Sequence, residues 1–463
     1  MKYVSTRGAA PVLDFEDTML TGLARDGGLY VPERVPTLDP TEIAALAGLP
    51  YEEVAFRVMR PFIGDSFGEA EFRDIIDRAY ASFSHPARAP LTQLGPNLFL
   101  LELFHGPTLA FKDFAMQLIG QLFEAALKRR GEHVTIVGAT SGDTGSAAIE
   151  AFRGLDAVDI FILLPKGRTS EVQRRQMTTP TEANVHALLL DGDFDDCQAR
   201  VKDMFNDFDF RDRMRLAGVN SINWARVLAQ VVYYFTAATA LGAPHRKVSF
   251  TVPTGNFGDI FAGQVARRMG LPIEKLVIAT NQNDILHRTL QTGAYTKAEV
   301  VPSISPSMDI QVSSNFERAL FDAYGRDGKA VAEQMERLKE TGSFPVSQGA
   351  IGRLRETFAS GRASETETSE TIARVYAATG EVICPHSAVG VKVAEEEADP
   401  AVPMIALATA HPAKFPDAVA AATGIRPALP KRLSDLYERP ERMTEIANDL
   451  RTIERLMEER AST

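Results

Sequence analysis

From residue 98 onward, short runs of consecutive apolar residues alternate with longer stretches whose apolar positions recur at helical spacing. The runs at 98–101, 134–137, 160–164, 185–190, 248–252, 276–279 and 403–408 predict strands. The helical stretches between them predict parallel sheets covered on both faces, the α/β class. The first 90 or so residues follow another pattern. Pro40-Thr41-Glu42 opens a helix there, and 66–81 carries apolar residues at helical spacing. Pro86 and Pro90 then punctuate the chain. The organisation predicted is a mostly helical N-terminal domain over 1–90 and a region of two α/β lobes over 91–463, the smaller lobe at roughly 130–230. The polar stretch 360–369 predicts a surface loop leading into a helix with Ile372, Val375 and Tyr376. The tail 431–460, of mixed charge with apolar residues at helical spacing, predicts a C-terminal helix on the surface.

One cation interrupts this pattern. Lys112 lies inside Phe104-His105-Gly106-Pro107-Thr108-Leu109-Ala110-Phe111-Lys112-Asp113-Phe114, a largely apolar stretch. Loss of hydration disfavours an ammonium ion, and a neutral amine attacks carbonyls, which is the setting a Schiff-base lysine needs. The alternative is an amphipathic helix start whose lysine reaches water past the two phenylalanines.

Two strand ends supply anion-binding loops. The run 134–137 leads into Gly138-Ala139-Thr140-Ser141-Gly142-Asp143-Thr144-Gly145, small and hydroxylated residues before a helix. Such a junction aims backbone N–H groups and a positive helix end at an anion. Thr140, Ser141 and Thr144 add hydroxyls, while Asp143 makes a phosphate less comfortable there and leaves a carboxylate beside it tolerable; the alternative is an ordinary strand-to-helix turn capped by Ser141 or Asp143. The second loop, Thr254-Gly255-Asn256-Phe257-Gly258-Asp259, lets the backbone fold round a phosphate, and no lysine follows to make it a Walker A loop. A third strand end carries Thr409, before Ala410-His411-Pro412-Ala413-Lys414-Phe415. Open α/β sheets bind ligands at the carboxyl ends of their strands, which puts all three on one face.

Composition narrows the ligand. Hydrophobic residues make up 45% of the 463 and charged residues 24%, an ordinary globular balance. The net charge of -11 argues against a nucleic-acid or anionic-membrane partner. The apolar run 231–243 is too short to span a bilayer, and the N-terminal segment has no apolar signal region. Cys197 and Cys384 stand far apart without metal-ligand spacing, so no metal site or disulfide framework is expected and a reducing, cytoplasmic location is.

With these residues in hand, the chain resembles the threonine synthases, pyridoxal-phosphate enzymes of fold type II related to tryptophan synthase β subunits and threonine dehydratases. The resemblance rests on 104–114, Ala139 to Gly145, Gly255 to Asp259 and 410–415, joined by Ser5-Thr6-Arg7-Gly8 and Asp26-Gly27-Gly28-Leu29-Tyr30-Val31-Pro32, which look like the N-terminal region of the long fungal and Gram-negative-type branch. Thr254 stands where the family's serine is expected. The resemblance implies two open parallel-type sheets flanked by helices, plus a helical N-terminal region. It implies that pyridoxal 5'-phosphate is held on Lys112, with Gly255, Asn256, Phe257, Gly258 and Asp259 round its phosphate and Thr409 facing the pyridine nitrogen. Thr140, Ser141, Asp143 and Thr144 would meet the amino-acid end of the substrate. Ligands for the substrate's phosphate are sought among Ser314, Asn315 and neighbouring Arg318, among Asn223 and Arg226, which three-residue spacing would put on one helix face, and at Lys414.

The expected reaction converts O-phospho-L-homoserine and water into L-threonine and phosphate by γ-elimination and β-addition of water, in a monomer or homodimer. Two other readings compete. One is a phospho-lyase on the same scaffold releasing 2-oxobutyrate, ammonia and phosphate, with a dehydratase as its variant. The other is a non-catalytic phosphate-ligand binding protein.

Overall fold

The computed structural model describes residues 1–140, 142–166 and 169–462. The apolar runs are strands, and they sort into two sheets. The larger has six strands in the order Phe358–Arg362, Ile273–Thr280, Val248–Pro253, Met404–Ala408, Leu98–Glu102, Leu91–Gln93. All its neighbours run parallel except the last pair. The smaller has five parallel strands in the order Thr444–Ile446, Val185–Leu190, Val158–Pro165, Val134–Ala139, Leu216–Ala217. The central strands Val158–Pro165 and Val248–Pro253 are buried along their whole length, as strands covered on both faces must be.

Two sequence expectations need correction. The stretch 360–369 is no simple surface loop: Phe358–Arg362 is an edge strand paired with Leu276–Thr280, and the next helix, Glu365–Thr379, starts from a capping box on Ser364. An edge strand has one neighbour and one open side, so Ser360, Gly361 and Arg362 are tolerated there without the apolar signature of a central strand. The tail is not one helix either. It makes a short 3-10 turn at Lys431–Leu433, adds the strand Thr444–Ile446 to the small sheet, and is helical only over Leu450–Arg460. Pro440 lies in the break, where its ring cannot continue a helix.

The core between the sheets is built on two helices, Lys112–Arg130 and Trp224–Ala240, buried on nearly every face. Gly120 lets the first of them press against the helix Asp143–Phe152: a Cβ there would stand 2.3 Å from the Ala151 carbonyl oxygen. The N-terminal helices Tyr51–Ile63 and Glu69–Tyr80 close the other side. Their Tyr51 and Tyr80 pack edge-on, 5.0 Å between ring centroids, and both reach Phe114. The Tyr80 hydroxyl donates to the Phe114 carbonyl at 3.2 Å, so the N-terminal helices grip the chain two residues beyond Lys112. No helix among the described residues is long and apolar enough to cross a membrane.

Gly120→Ala gains about 1 kcal/mol of helix propensity but overpacks a backbone contact, which costs about 1–3 kcal/mol. The variant is expected to melt at a lower temperature than the parent in thermal denaturation followed by circular dichroism, and equal or higher melting would show that the two helices can part.

Candidate active site

The chain ahead of Lys112 is laid across a strand end. The Phe111 N–H donates to the Thr409 carbonyl at 2.8 Å and the His411 N–H to the Leu109 carbonyl at 3.0 Å, a short antiparallel bridge between Ala110 and Ala410. The turn that reaches it needs Leu109 at φ 67 and is held by Asp113, whose carboxylate accepts from the Thr108 N–H at 2.9 Å and the Thr108 hydroxyl at 2.6 Å. Gly106 packs so tightly here that a Cβ would come 2.4 Å from that of Asp113. Lys112 is thereby delivered as the first residue of a buried helix, 9% exposed. Burial pushes its amine down to about 8, against the pull of the Asp143 carboxylate 3.8 Å away.

Asp143 opens the helix after the first loop, which leaves a strand of the five-stranded sheet. Its Oδ1 accepts from Lys414 Nζ at 2.7 Å and from the Gln173 amide at 2.9 Å. Burial disfavours the ionised carboxyl, yet Lys414 and Lys112 together hold it well below the usual carboxylate range. Lys414, 0% exposed, directs a second donor to the Thr108 carbonyl at 2.7 Å. Both bonds thus go to protein, and no face of it is open to a substrate phosphate. Thr140 shapes the loop: its hydroxyl oxygen accepts from the Gly142 and Gly145 N–H groups, each at 3.0 Å. Thr144 follows in the first turn of the helix. Ser141 lies outside the described residues.

The second loop has the anatomy of an anion cradle. The N–H groups of Gly255, Asn256 and Phe257 meet no acceptor among the described residues. Phe257 adopts φ 66 and caps the helix Gly258–Arg268, directing the helix start into the loop. A Cβ at Gly255 would approach the Ser307 carbonyl oxygen to 2.8 Å, so the backbone itself must form this wall. Ser314 and Asn315 brace the loop from behind: Asn315 donates its N–H and its amide to the Asn256 carbonyl, both at 3.0 Å, and Ser314 donates to the Asn256 side chain at 3.3 Å. Ser313 donates to the Gly255 carbonyl at 2.6 Å. The Asp259 side chain turns inward instead, accepting from Tyr233 at 2.6 Å and Tyr234 at 3.0 Å. Burial raises its carboxyl to about 7 despite those two bonds, so only its backbone is available to the loop.

At the third strand end the residue Thr409 is buried, and its hydroxyl makes no hydrogen bond to a described residue. A further cation near Lys112 is Arg226, buried in the helix Trp224–Ala240. Among the described residues it has no acidic partner and gives one hydrogen bond, to the Val219 carbonyl at 3.3 Å. Burial pulls it down to about 10, and its charge in turn disfavours the ammonium form of Lys112. Asn223 does not share its helix face. It is the N-cap, accepting from the Ala225 N–H at 3.0 Å and donating to the Met19 carbonyl at 2.8 Å, so its amide serves the helix. Arg318 is likewise engaged in structure, donating to the Tyr30 and Ile222 carbonyls and to Asn315.

Sequence reading missed several supporting residues. Gln173 reaches Asp143 from a helix with no motif of its own, and Tyr233 and Tyr234 look like ordinary core. His386, fully within the protein, accepts from the Ser307 N–H at 3.1 Å and is kept neutral by burial, which lowers it to about 4. The Ser5–Gly8 motif acts through Glu317, which accepts from Thr6 at 2.6 Å and pairs with Arg7 at 2.9 Å, fastening the N-terminus beside Asn315.

Family models match along the chain: a threonine synthase N terminus over residues 2–80, a pyridoxal-phosphate dependent enzyme over 84–352 and a threonine synthase C-terminal region over 387–457. A threonine synthase of Pseudomonas aeruginosa is 57% identical over 456 residues, 98% of this chain and 97% of that protein. The crystal structure of a pyridoxal-phosphate-bound threonine synthase from Brucella melitensis superposes with a TM-score of 0.98 at 58% identity, covering 100% of both chains. The yeast threonine synthase structure does so at 0.94 and 41% identity, over 99% of this chain and 98% of that one.

The Lys112 amine should stand apart from every exposed lysine in the cofactor-free chain. Trace acylation followed by peptide mass spectrometry is expected to give it a reactivity midpoint near pH 8, against about 10.4 for exposed lysines; a midpoint among the latter would mean that its burial is not maintained in solution.

Proposed function

The chain belongs to the threonine synthase family of pyridoxal-phosphate enzymes, and from that premise we infer which of its residues carry the reaction. The activity is conversion of O-phospho-L-homoserine and water into L-threonine and phosphate, with pyridoxal 5'-phosphate as cofactor. The observation that carries the residue assignment is the convergence of one buried amine, one loop of unsatisfied N–H groups and one unpaired hydroxyl at three neighbouring strand ends. These fit the cofactor: the amine suits its aldehyde, the loop its phosphate and Thr409 its unprotonated ring nitrogen, which an aspartate there would keep protonated. When bound, the cofactor supplies an electron sink that makes carbon–hydrogen bonds of the substrate acidic.

The protein supplies position and proton traffic. Gly255 to Asp259 hold the cofactor phosphate through backbone donors. Lys112 Nζ takes the Cα proton of the substrate as base and returns a proton as acid, a cycle open to an amine that burial has brought near neutrality. Thr140, Ser141 and Thr144 receive the substrate carboxylate. Arg226, a buried cation without an acidic partner among the described residues, is the residue we assign to the substrate phosphate, since an unpaired buried charge calls for an anion. Phosphate leaves Cγ, which becomes the methyl group, and the hydroxyl of water is added at Cβ. The two buried, unpaired cysteines support placement in a reducing cytoplasm.

Incubation of the full-length protein with O-phospho-L-homoserine is expected to release threonine and phosphate in equal amounts. Lys112→Ala should lose both the cofactor absorbance band and turnover. 2-Oxobutyrate as the main product would make the protein a phospho-lyase, and full activity of Lys112→Ala would remove the lysine from the chemistry.

Arg226→Gln should raise KM for O-phospho-L-homoserine about tenfold or more, the loss of one charge-assisted bond to phosphate. An unchanged KM would make Arg226 structural.

A further inference from the structure

We propose that Lys414 is a positioning residue that sets the charge of Lys112 by competing with it for the Asp143 carboxylate. The proposal rests on Lys112 being the reactive amine.

The geometry is of two lysines on one acid. Lys414 Nζ lies 2.7 Å from Asp143 Oδ1, while Lys112 Nζ lies 3.8 Å from Oδ2, beyond a good hydrogen bond. A carboxylate alone with Lys112 would close on it and hold it as an ammonium ion, useless as a nucleophile or base. Lys414 prevents this twice over. It takes the close bond to Asp143, and its second bond, to the Thr108 carbonyl, fixes where that bond can form. Thr108 is in turn pinned by Asp113, and Gln173 donates to the same Asp143 oxygen as Lys414, which steadies that end of the carboxylate. Lys414 has no exposed surface, so the position does not drift with solvent.

The arrangement also joins the two sheets. Asp143 starts the helix after a strand of the five-stranded sheet, Lys414 follows the strand Met404–Ala408 of the six-stranded one, and the Thr108 carbonyl belongs to the segment that delivers Lys112. The remaining charges that face Lys112 are Arg226, from the helix Trp224–Ala240, and Asp113, on its own helix. His386, from the helix Pro385–Glu397, feels Lys112, Lys414 and Asp143 together and stays neutral. Among these, Lys414 is the one cation bonded to Asp143 itself, so its removal changes the partner of Lys112 as well as the local field.

The test is the pH dependence of Lys112 acylation in the full-length, cofactor-free chain, with folding checked by circular dichroism. In Lys414→Met the carboxylate is released to Lys112, whose midpoint should rise by at least one pH unit, about a tenfold loss of reactivity at neutral pH. Asp143→Asn should move it the other way, below the parent. Lys414→Arg, which keeps the cation, should stay close to the parent. Shifts of opposite sign from the two neutralising variants are what a purely structural role does not produce. Should Lys414→Met not fold, Lys414→Gln, which keeps a donor for the Thr108 carbonyl, carries the same expectation. An unchanged midpoint in the folded Lys414 variant, or shifts of the same sign in both, overturns the proposal. A high midpoint already in the parent would mean that Lys112 is not held buried in solution and would overturn the proposal as well, whereas loss of the reactive-amine reading itself is read separately, from full activity of Lys112→Ala.

Discussion

An amine buried between two sheets is costly to keep and useful only if it is not simply neutralised by the nearest acid. Much of the site can be understood from that constraint. Lys112 needs burial to lose its proton near physiological pH, and burial needs compensation, because an isolated ion in a low-dielectric interior is strongly destabilising. Asp143 supplies the compensation at 3.8 Å, and Lys414 limits how much of it Lys112 receives. Apolar helices pack round this triad, and the tyrosines of the N-terminal helices reach Phe114, so the balance is set in a buried environment.

The fold meets the constraint by bringing strand ends together from both sheets. The small sheet contributes Asp143 and Thr140 after Val134–Ala139, and the large sheet contributes Gly255 to Asp259 after Val248–Pro253 and Thr409 after Met404–Ala408. Their parallel arrangement means that every one of these loops leaves at a carboxyl end, where helix starts and free N–H groups also collect. Behind them stands a supporting layer of Ser313, Ser314, Asn315, Glu317 and Arg318, which links the Gly255–Asp259 loop to the N-terminal segment at Thr6, Arg7 and Tyr30. The N-terminal segment is therefore part of the scaffold of the site, although no residue of it is assigned to the chemistry.

The polar residues round Lys112 fall into two kinds. Asn223, Asn315, Arg318 and Lys414 have their hydrogen-bonding groups engaged with protein, and their work is to place others. Arg226, Thr409 and the Gly255–Phe257 backbone carry donors that the described protein leaves unused. Buried donors are rarely left so without a ligand to meet them, which is why the second kind is assigned to cofactor and substrate.

Motifs with local geometry are legible in the amino-acid sequence. The central strands show as unbroken apolar runs, the two loops as glycine and hydroxyl residues at strand ends, and Lys112 as a cation in apolar company. The edge strand Phe358–Arg362 and the strand Thr444–Ile446 are not legible, because a strand with one open side has no need of an apolar signature. Nor does spacing distinguish Asn223 as a helix cap from Arg226 as a free cation, or show that Lys414 faces Asp143 rather than solvent. Which apolar runs become central strands, which loops leave their ends, and where a lone cation lies in apolar company follow from hydration and backbone preference over a few neighbouring residues, so the order of residues is enough to predict them. Which charges pair and which stay open is a matter of tertiary packing, because a buried group's partner comes from wherever in 463 residues the fold happens to place one.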